Sequence, residues 1–143
     1  MKKSCLTEEE IKMFDDMEEE IRKCTLCRLS ENRTNAVPGD GNRCADFMFV
    51  GEGPGKQEDL QGIPFVGAAG KLLDELLDSI NLKREDIYIT NVVKCRPPNN
   101  RDPRPEEVEA CIPYLRKQTK IIKPKVICTL GNTAGRKLVR PDM

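Results

Sequence analysis

Three short apolar runs constrain this chain most. Phe47–Val50, Ile87–Val93 and Lys125–Leu130 are each rich in β-branched or aromatic residues, and each leads into a helical pattern. After the first run, Ala68, Ala69, Leu72, Leu73, Leu76, Leu77 and Ile80 recur at helical spacing. After the second, Pro105 with Glu106 and Glu107 marks a helix start, with Val108, Ile112 and Leu115 on one face. Asn132 opens a short helix through Leu138 after the third. Alternating strand and helix predicts an α/β fold, a three-layer α/β/α sandwich around a small central parallel sheet. An N-terminal helix precedes it: Thr7 and Glu10 form a capping-box pair, and Ile11, Phe14, Met17 and Ile21 follow at helical spacing to about Lys23.

At 143 residues the chain is read as a single domain, 1–143. Met1–Ser4 leads into an acidic helix pattern rather than an apolar core of a signal peptide. No run reaches the length of a membrane span, so the expectation is a cytoplasmic monomer with no membrane partner. The net charge is zero, but residues 92–143 carry twelve bases against five acids, enough for a phosphate-facing surface.

The chain has no histidine, which excludes Ser-His-Asp and Cys-His catalysis and every histidine-containing metal site. It has seven cysteines. In a reducing compartment these point to metal ligation before disulfides. Cys24 and Cys27 are spaced C-x2-C at a helix exit; Cys95 follows the second strand and Cys111 lies on the next helix. Four thiolates suit structural zinc or an iron–sulfur cluster, although the second pair is wide for a zinc knuckle. Cys128 reads as core, Cys44 as a strand-border residue, and Cys5 as part of a flexible start.

The first strand ends in Gly51-Glu52-Gly53-Pro54-Gly55-Lys56-Gln57-Glu58-Asp59, a glycine-rich turn carrying three acids. It matches neither the dinucleotide fingerprint nor the P-loop. Glycines at the carboxyl end of a buried strand favour a ligand site over a plain connection.

This loop resembles the first motif of the family 4, iron–sulfur uracil-DNA glycosylases, Gly-Glu-Ala-Pro-Gly-x-x-Glu-Asp, with Gly53 in place of the alanine. Gly62-x-Pro64-Phe65-Val66-Gly67-x-Ala69-Gly70 and Thr90-Asn91-x-Val93-Lys94-Cys95-Arg96-Pro97-Pro98 resemble further family motifs, and so does the layout of Cys24, Cys27, Cys95 and Cys111. The resemblance covers roughly residues 20–139. It implies a DNA repair enzyme of base excision repair, hydrolysing the N-glycosidic bond of a uracil flipped out of DNA. By the same resemblance Glu52 would be catalytic, positioning water and favouring the cationic sugar. Phe65 would stack on the base and Asn91 would read its edge. Backbone N–H groups around Gly53 and Gly55 would support the departing uracil anion or a DNA phosphate, and Gly51 would line the uracil site with them. The four cysteines would hold a 4Fe–4S cluster, shaping a basic Lys94–Arg104 loop against uracil-containing DNA. The family pattern continues into a further strand and a His-Pro motif, which this sequence does not contain. Losing one such anion-stabilising donor typically costs on the order of 2.7–4 kcal/mol. The expected alternative is therefore a catalytically impaired iron–sulfur DNA-binding module of the same fold. A zinc-stabilised nucleotide-binding protein outside repair is a third reading.

Overall fold

The computed structural model describes residues 5–139; Met1–Ser4 and Arg140–Met143 fall outside the described residues. The chain opens with α1 (Glu8–Lys23), capped as the sequence predicts. Thr7 Oγ1 accepts from the Glu10 N–H, and Glu10 Oε1 accepts from the Thr7 N–H, each at 3.1 Å. Then follow β1 (Asp40–Gly41), β2 (Phe47–Gly51), α2 (Lys56–Gln61), α3 (Ala68–Ser79), β3 (Tyr88–Asn91), α4 (Pro105–Ile122), β4 (Val126–Thr129) and α5 (Asn132–Leu138).

The four strands form one sheet in the order β1-β3-β2-β4. β2 runs parallel to both β3 and β4, as expected. The two-residue β1 adds an antiparallel partner to β3, so the sheet is mixed rather than wholly parallel. Alternation along the strands sends side chains to two faces. Met48, Val50 and Tyr88 pack with Phe14, Met17 and Ile21 of α1 and Ile112 and Leu115 of α4. Phe49 and Ile89 pack on the opposite side with Leu73 and Leu77 of α3. Two apolar layers separated by one sheet make the expected α/β/α sandwich.

Three readings change. The apolar face of α3 is wider than the surface that covers it. Leu73 and Leu77 are buried, while Leu72, Leu76 and Ile80 are each more than half exposed. β4 is an edge strand with Val126 and Ile127 exposed, so Cys128 is half-buried rather than core. Cys5 and Cys44 are joined in a disulfide, with Cα atoms 5.8 Å apart, against the expectation of free thiols at these positions. The bridge fastens the segment before α1 to the turn before β2. No described helix is long and apolar enough to cross a membrane.

Candidate functional site

The site lies at the carboxyl ends of β2 and β3. In the parallel register Gly51 stands opposite Asn91, so both strands end at the same level and their following loops form one mouth. A cavity of about 250 Å³ opens there. Glu52, Gly53, Gly55, Phe65 and Asn91 line it, together with the Pro97 to Pro103 loop. Gly51, expected to line the uracil site, lies behind two of the lining residues, against Asn91 and Phe65. A Cβ built there would stand 2.5 Å from Asn91 Oδ1 and 2.5 Å from Phe65 Cζ. Any side chain at position 51 would drive the amide and the ring apart. The glycine is required by close approach.

The three acids of the glycine-rich loop do separate work. Glu52 Oε2 accepts from the Thr133 N–H at 2.5 Å, tying the end of β2 to the first turn of α5. Gly131 makes room for it, since a Cβ there would meet the Glu52 carboxyl carbon at 2.7 Å. Glu58 accepts from the N–H groups of Gly55 at 3.0 Å, and of Val66 and Gly67 at 2.8 Å each. It staples the start of α2 to the start of α3. Asp59 turns away from the cavity, is buried, and accepts from the N–H groups of Thr34 and Asn35. The Gly55 N–H is therefore committed to Glu58 rather than held ready for an anion, and the donor role expected at Gly55 is corrected to a structural one. Sequence reasoning missed Glu58. Its position three residues after Gly55, at the third place of a helix, was the available signal.

The Pro97 to Pro103 wall is fixed from beneath. Glu107, fully buried at the third position of α4, accepts from Arg101 Nη1 and Nη2 at 2.8 Å each and from the Arg104 N–H at 2.9 Å. These hydrogen bonds, the Arg101 pair first, hold the Glu107 carboxyl down at about 2. Arg96 Nε donates to Asn100 Oδ1 at 2.7 Å.

Lys94 departs from the expected basic DNA face. Its side chain is 1% exposed, and Nζ donates to Thr90 Oγ1 at 2.6 Å, the Asn91 carbonyl at 2.8 Å and Gln118 Oε1 at 2.8 Å. Burial pushes the ammonium down to about 7. Three donors meet three acceptors, so Lys94 fastens the main chain of Asn91 to α4 instead of reaching phosphate.

The four predicted cysteines come together. Cys24 at the exit of α1, Cys27 three residues on, Cys95 after β3 and Cys111 on α4 line one small hollow with Ile21, Leu29 and Tyr114. Arg33 Nη1 donates to Cys95 Sγ at 3.1 Å, and the Lys94 N–H donates to Cys111 Sγ at 3.2 Å. Among the described residues no set of three cysteines or carboxylates is arranged to hold a single metal ion. Four thiols from three segments, with N–H donors aimed at two sulfurs, are instead a donor set fit for a cluster. Burial pushes the Cys95 thiol up and the Cys111 thiol up to about 11. Neither ionises readily without a metal to displace its proton.

A family model described as the uracil DNA glycosylase superfamily matches residues 38–141. A type-4 uracil-DNA glycosylase of Archaeoglobus fulgidus is 60% identical over 123 residues, which are 86% of this chain and 62% of that protein. Its counterpart in Thermotoga maritima is 56% identical over 122 residues, 85% of this chain and 64% of the relative. A type-5 uracil-DNA glycosylase of Pyrobaculum aerophilum is 41% identical, with 89% of this chain and 70% of the relative covered. The chain thus spans less than two thirds of the length of these type-4 relatives.

Proposed function

Since the chain belongs to the uracil DNA glycosylase superfamily, we propose that it is a DNA repair glycosylase hydrolysing the N-glycosidic bond of uracil flipped out of DNA. The observation that carries this reading is the close approach at Gly51, whose missing side chain lets Asn91 and Phe65 come together at the cavity that Glu52 also lines.

Each residue then has a task. The Phe65 ring stacks on the planar base. The Asn91 amide donates to O4 and accepts from N3–H, a pairing that cytosine cannot satisfy. Lys94 and Gln118 hold the Asn91 main chain, so the amide is aimed before the base arrives. The Glu52 carboxylate, with one oxygen committed to Thr133, orients a water and favours the cationic sugar as the bond lengthens. Water adds at the sugar carbon, and the base departs as an anion toward backbone N–H groups around Gly53.

Cys24, Cys27, Cys95 and Cys111 would hold a 4Fe–4S cluster, whose bonds supply a covalent tie between α1, the segment after β3 and α4. Glycosidic hydrolysis needs no electron from it. The reading takes residues 1–143 as one domain acting as a cytoplasmic monomer on uracil-containing DNA. A nucleotide-binding role outside repair gives way to the family membership.

The test is release of free uracil from a single-stranded oligonucleotide, compared across the wild type, Glu52→Gln and Asn91→Ala. Release that falls at least 100-fold in both variants, with DNA binding retained, is the expected result. Wild-type protein that binds this DNA but releases nothing would instead be the impaired iron–sulfur binding module. Absence of both binding and release refutes the glycosylase reading.

A further inference from the structure

Phe65 carries an unusual backbone. Its φ is +54°, in the left-handed region that bulky residues rarely enter. Such a conformation persists only where its surroundings over-determine it.

Two residues outside the cavity do so. Arg84, in the short turn before β3, donates from Nη1 to the Pro64 carbonyl at 3.0 Å and from Nη2 to the Phe65 carbonyl in a short contact. Its Nε donates to Asp74 Oδ1 of α3 at 2.6 Å. A planar fork is thus placed across two consecutive carbonyls and anchored to a helix behind. From the other side Gly70, in the first turn of α3, leaves space for the same carbonyl; a Cβ there would overlap the Phe65 oxygen. Held between them, the Phe65 backbone directs its ring over Gly51 and toward Asn91.

We propose that Arg84 is a positioning residue for base recognition, setting the stacking platform through Phe65 without touching the cavity itself. The assignment rests on the reading of the cavity as a uracil site. Clamping two adjacent carbonyls in the unbound protein means the ring does not have to reorganise when a planar pyrimidine enters. The clamp therefore acts on binding more than on bond breaking, and its loss raises KM more than it lowers kcat. Arg84→Lys keeps one charge but only a point donor, which cannot span both carbonyls, so it restores only part of the effect.

The experiment labels the chain with 4-fluorophenylalanine. Its four phenylalanines, Phe14, Phe47, Phe49 and Phe65, give four fluorine resonances, and Phe65→Tyr assigns one. Free uracil should shift the Phe65 resonance of the wild type. In Arg84→Met that resonance should already be displaced or broadened without ligand, while the other three stay in place. Uracil affinity should fall roughly tenfold or more, the scale on which a strained left-handed residue relaxes once released. Gly70→Ala, whose Cβ would overlap the same carbonyl and crowd Arg84 Nη2 at 3.1 Å, should reproduce the loss from the other side of the clamp, and Arg84→Lys should fall between. An Arg84→Met protein whose unliganded Phe65 resonance and uracil affinity match the wild type overturns the proposal. If uracil fails to move the wild-type Phe65 resonance, the uracil reading of the cavity falls. The unliganded Phe65 resonance of the two proteins still decides whether Arg84 sets that ring.

Discussion

Replacing Glu107 with glutamine tests how the wall of the cavity is held. The carboxylate is fully buried yet takes both guanidinium N–H groups of Arg101 and the Arg104 N–H, which hold it at about 2 against an ordinary value near 4.5. A displacement of that size corresponds to roughly 3 kcal/mol favouring the charged form in the folded chain. The sign follows from linkage. A depressed carboxyl contributes its stability above about 4.5 and loses it as pH falls toward 2. Glu107→Gln preserves the shape but cannot give two charged acceptors to one fork. At pH 7 it should lower the unfolding free energy by about 3 kcal/mol, a fall in Tm of roughly 10 °C for a chain of this length. The gap to the wild type should narrow steadily below about pH 4.5. Urea unfolding followed by far-ultraviolet circular dichroism, run in parallel on both proteins at pH 7 and pH 3, measures both effects. Equal midpoints at pH 7 would refute the reasoning, and so would a gap that does not change with pH. Because Arg101, Asp102 and Pro103 line the cavity, KM for uracil excision should also rise in the variant.

The Cys5–Cys44 bridge links residues at a sequence separation of 39, and chain entropy assigns such a loop about 4 kcal/mol; Cys5→Ser should lower stability by that order in denaturant titrations, and added reductant should leave the variant unchanged. Anaerobically purified protein should be brown with about four irons and matching sulfide. Cys24→Ala or Cys111→Ala should bleach it and Cys128→Ala should not, while stoichiometric zinc without sulfide would defeat the cluster assignment. Asn91→Asp should drop uracil excision well below the wild type, because a carboxylate replaces the donor to O4 beside a developing anion. Any gain of cytosine excision would support edge reading, and retained brown colour serves as the folding control.

Where a periodic pattern met a cap, the sequence was legible. α1 begins on the Thr7–Glu10 box, and Phe14, Met17 and Ile21 are the residues it buries. The convergence of Cys24, Cys27, Cys95 and Cys111 also followed from their spacing and the family resemblance. α2 escaped notice because six residues offer no apolar period; only Asp59 is buried, and it is an acid. β1 is two residues long, below any pattern. The width of the α3 stripe misled, since seven apolar positions say nothing about how many a short sheet can cover. Lys94 looked like part of a basic loop because a lysine's destination depends on acceptors, here Thr90 and Gln118, that are distant in sequence or on another element. Disulfide pairing is decided by approach in space, and a sequence separation of 39 between Cys5 and Cys44 carries no trace of it.

That bridge has a consequence for how the chain must be prepared. One pair is oxidised while Cys24, Cys27, Cys95, Cys111 and Cys128 remain thiols. In an unfolded chain Cys24 meets Cys27 far more often than Cys5 meets Cys44, since loop closure favours the shorter separation by roughly 2 kcal/mol. Oxidant added before collapse therefore joins the wrong partners and consumes two of the clustered thiols. Oxidant added after collapse finds Cys5 already beside Cys44, and Cys95 and Cys111 withdrawn from solvent. Yield is governed by the order of two events, folding under reductant and only then closure of the Cys5–Cys44 bridge.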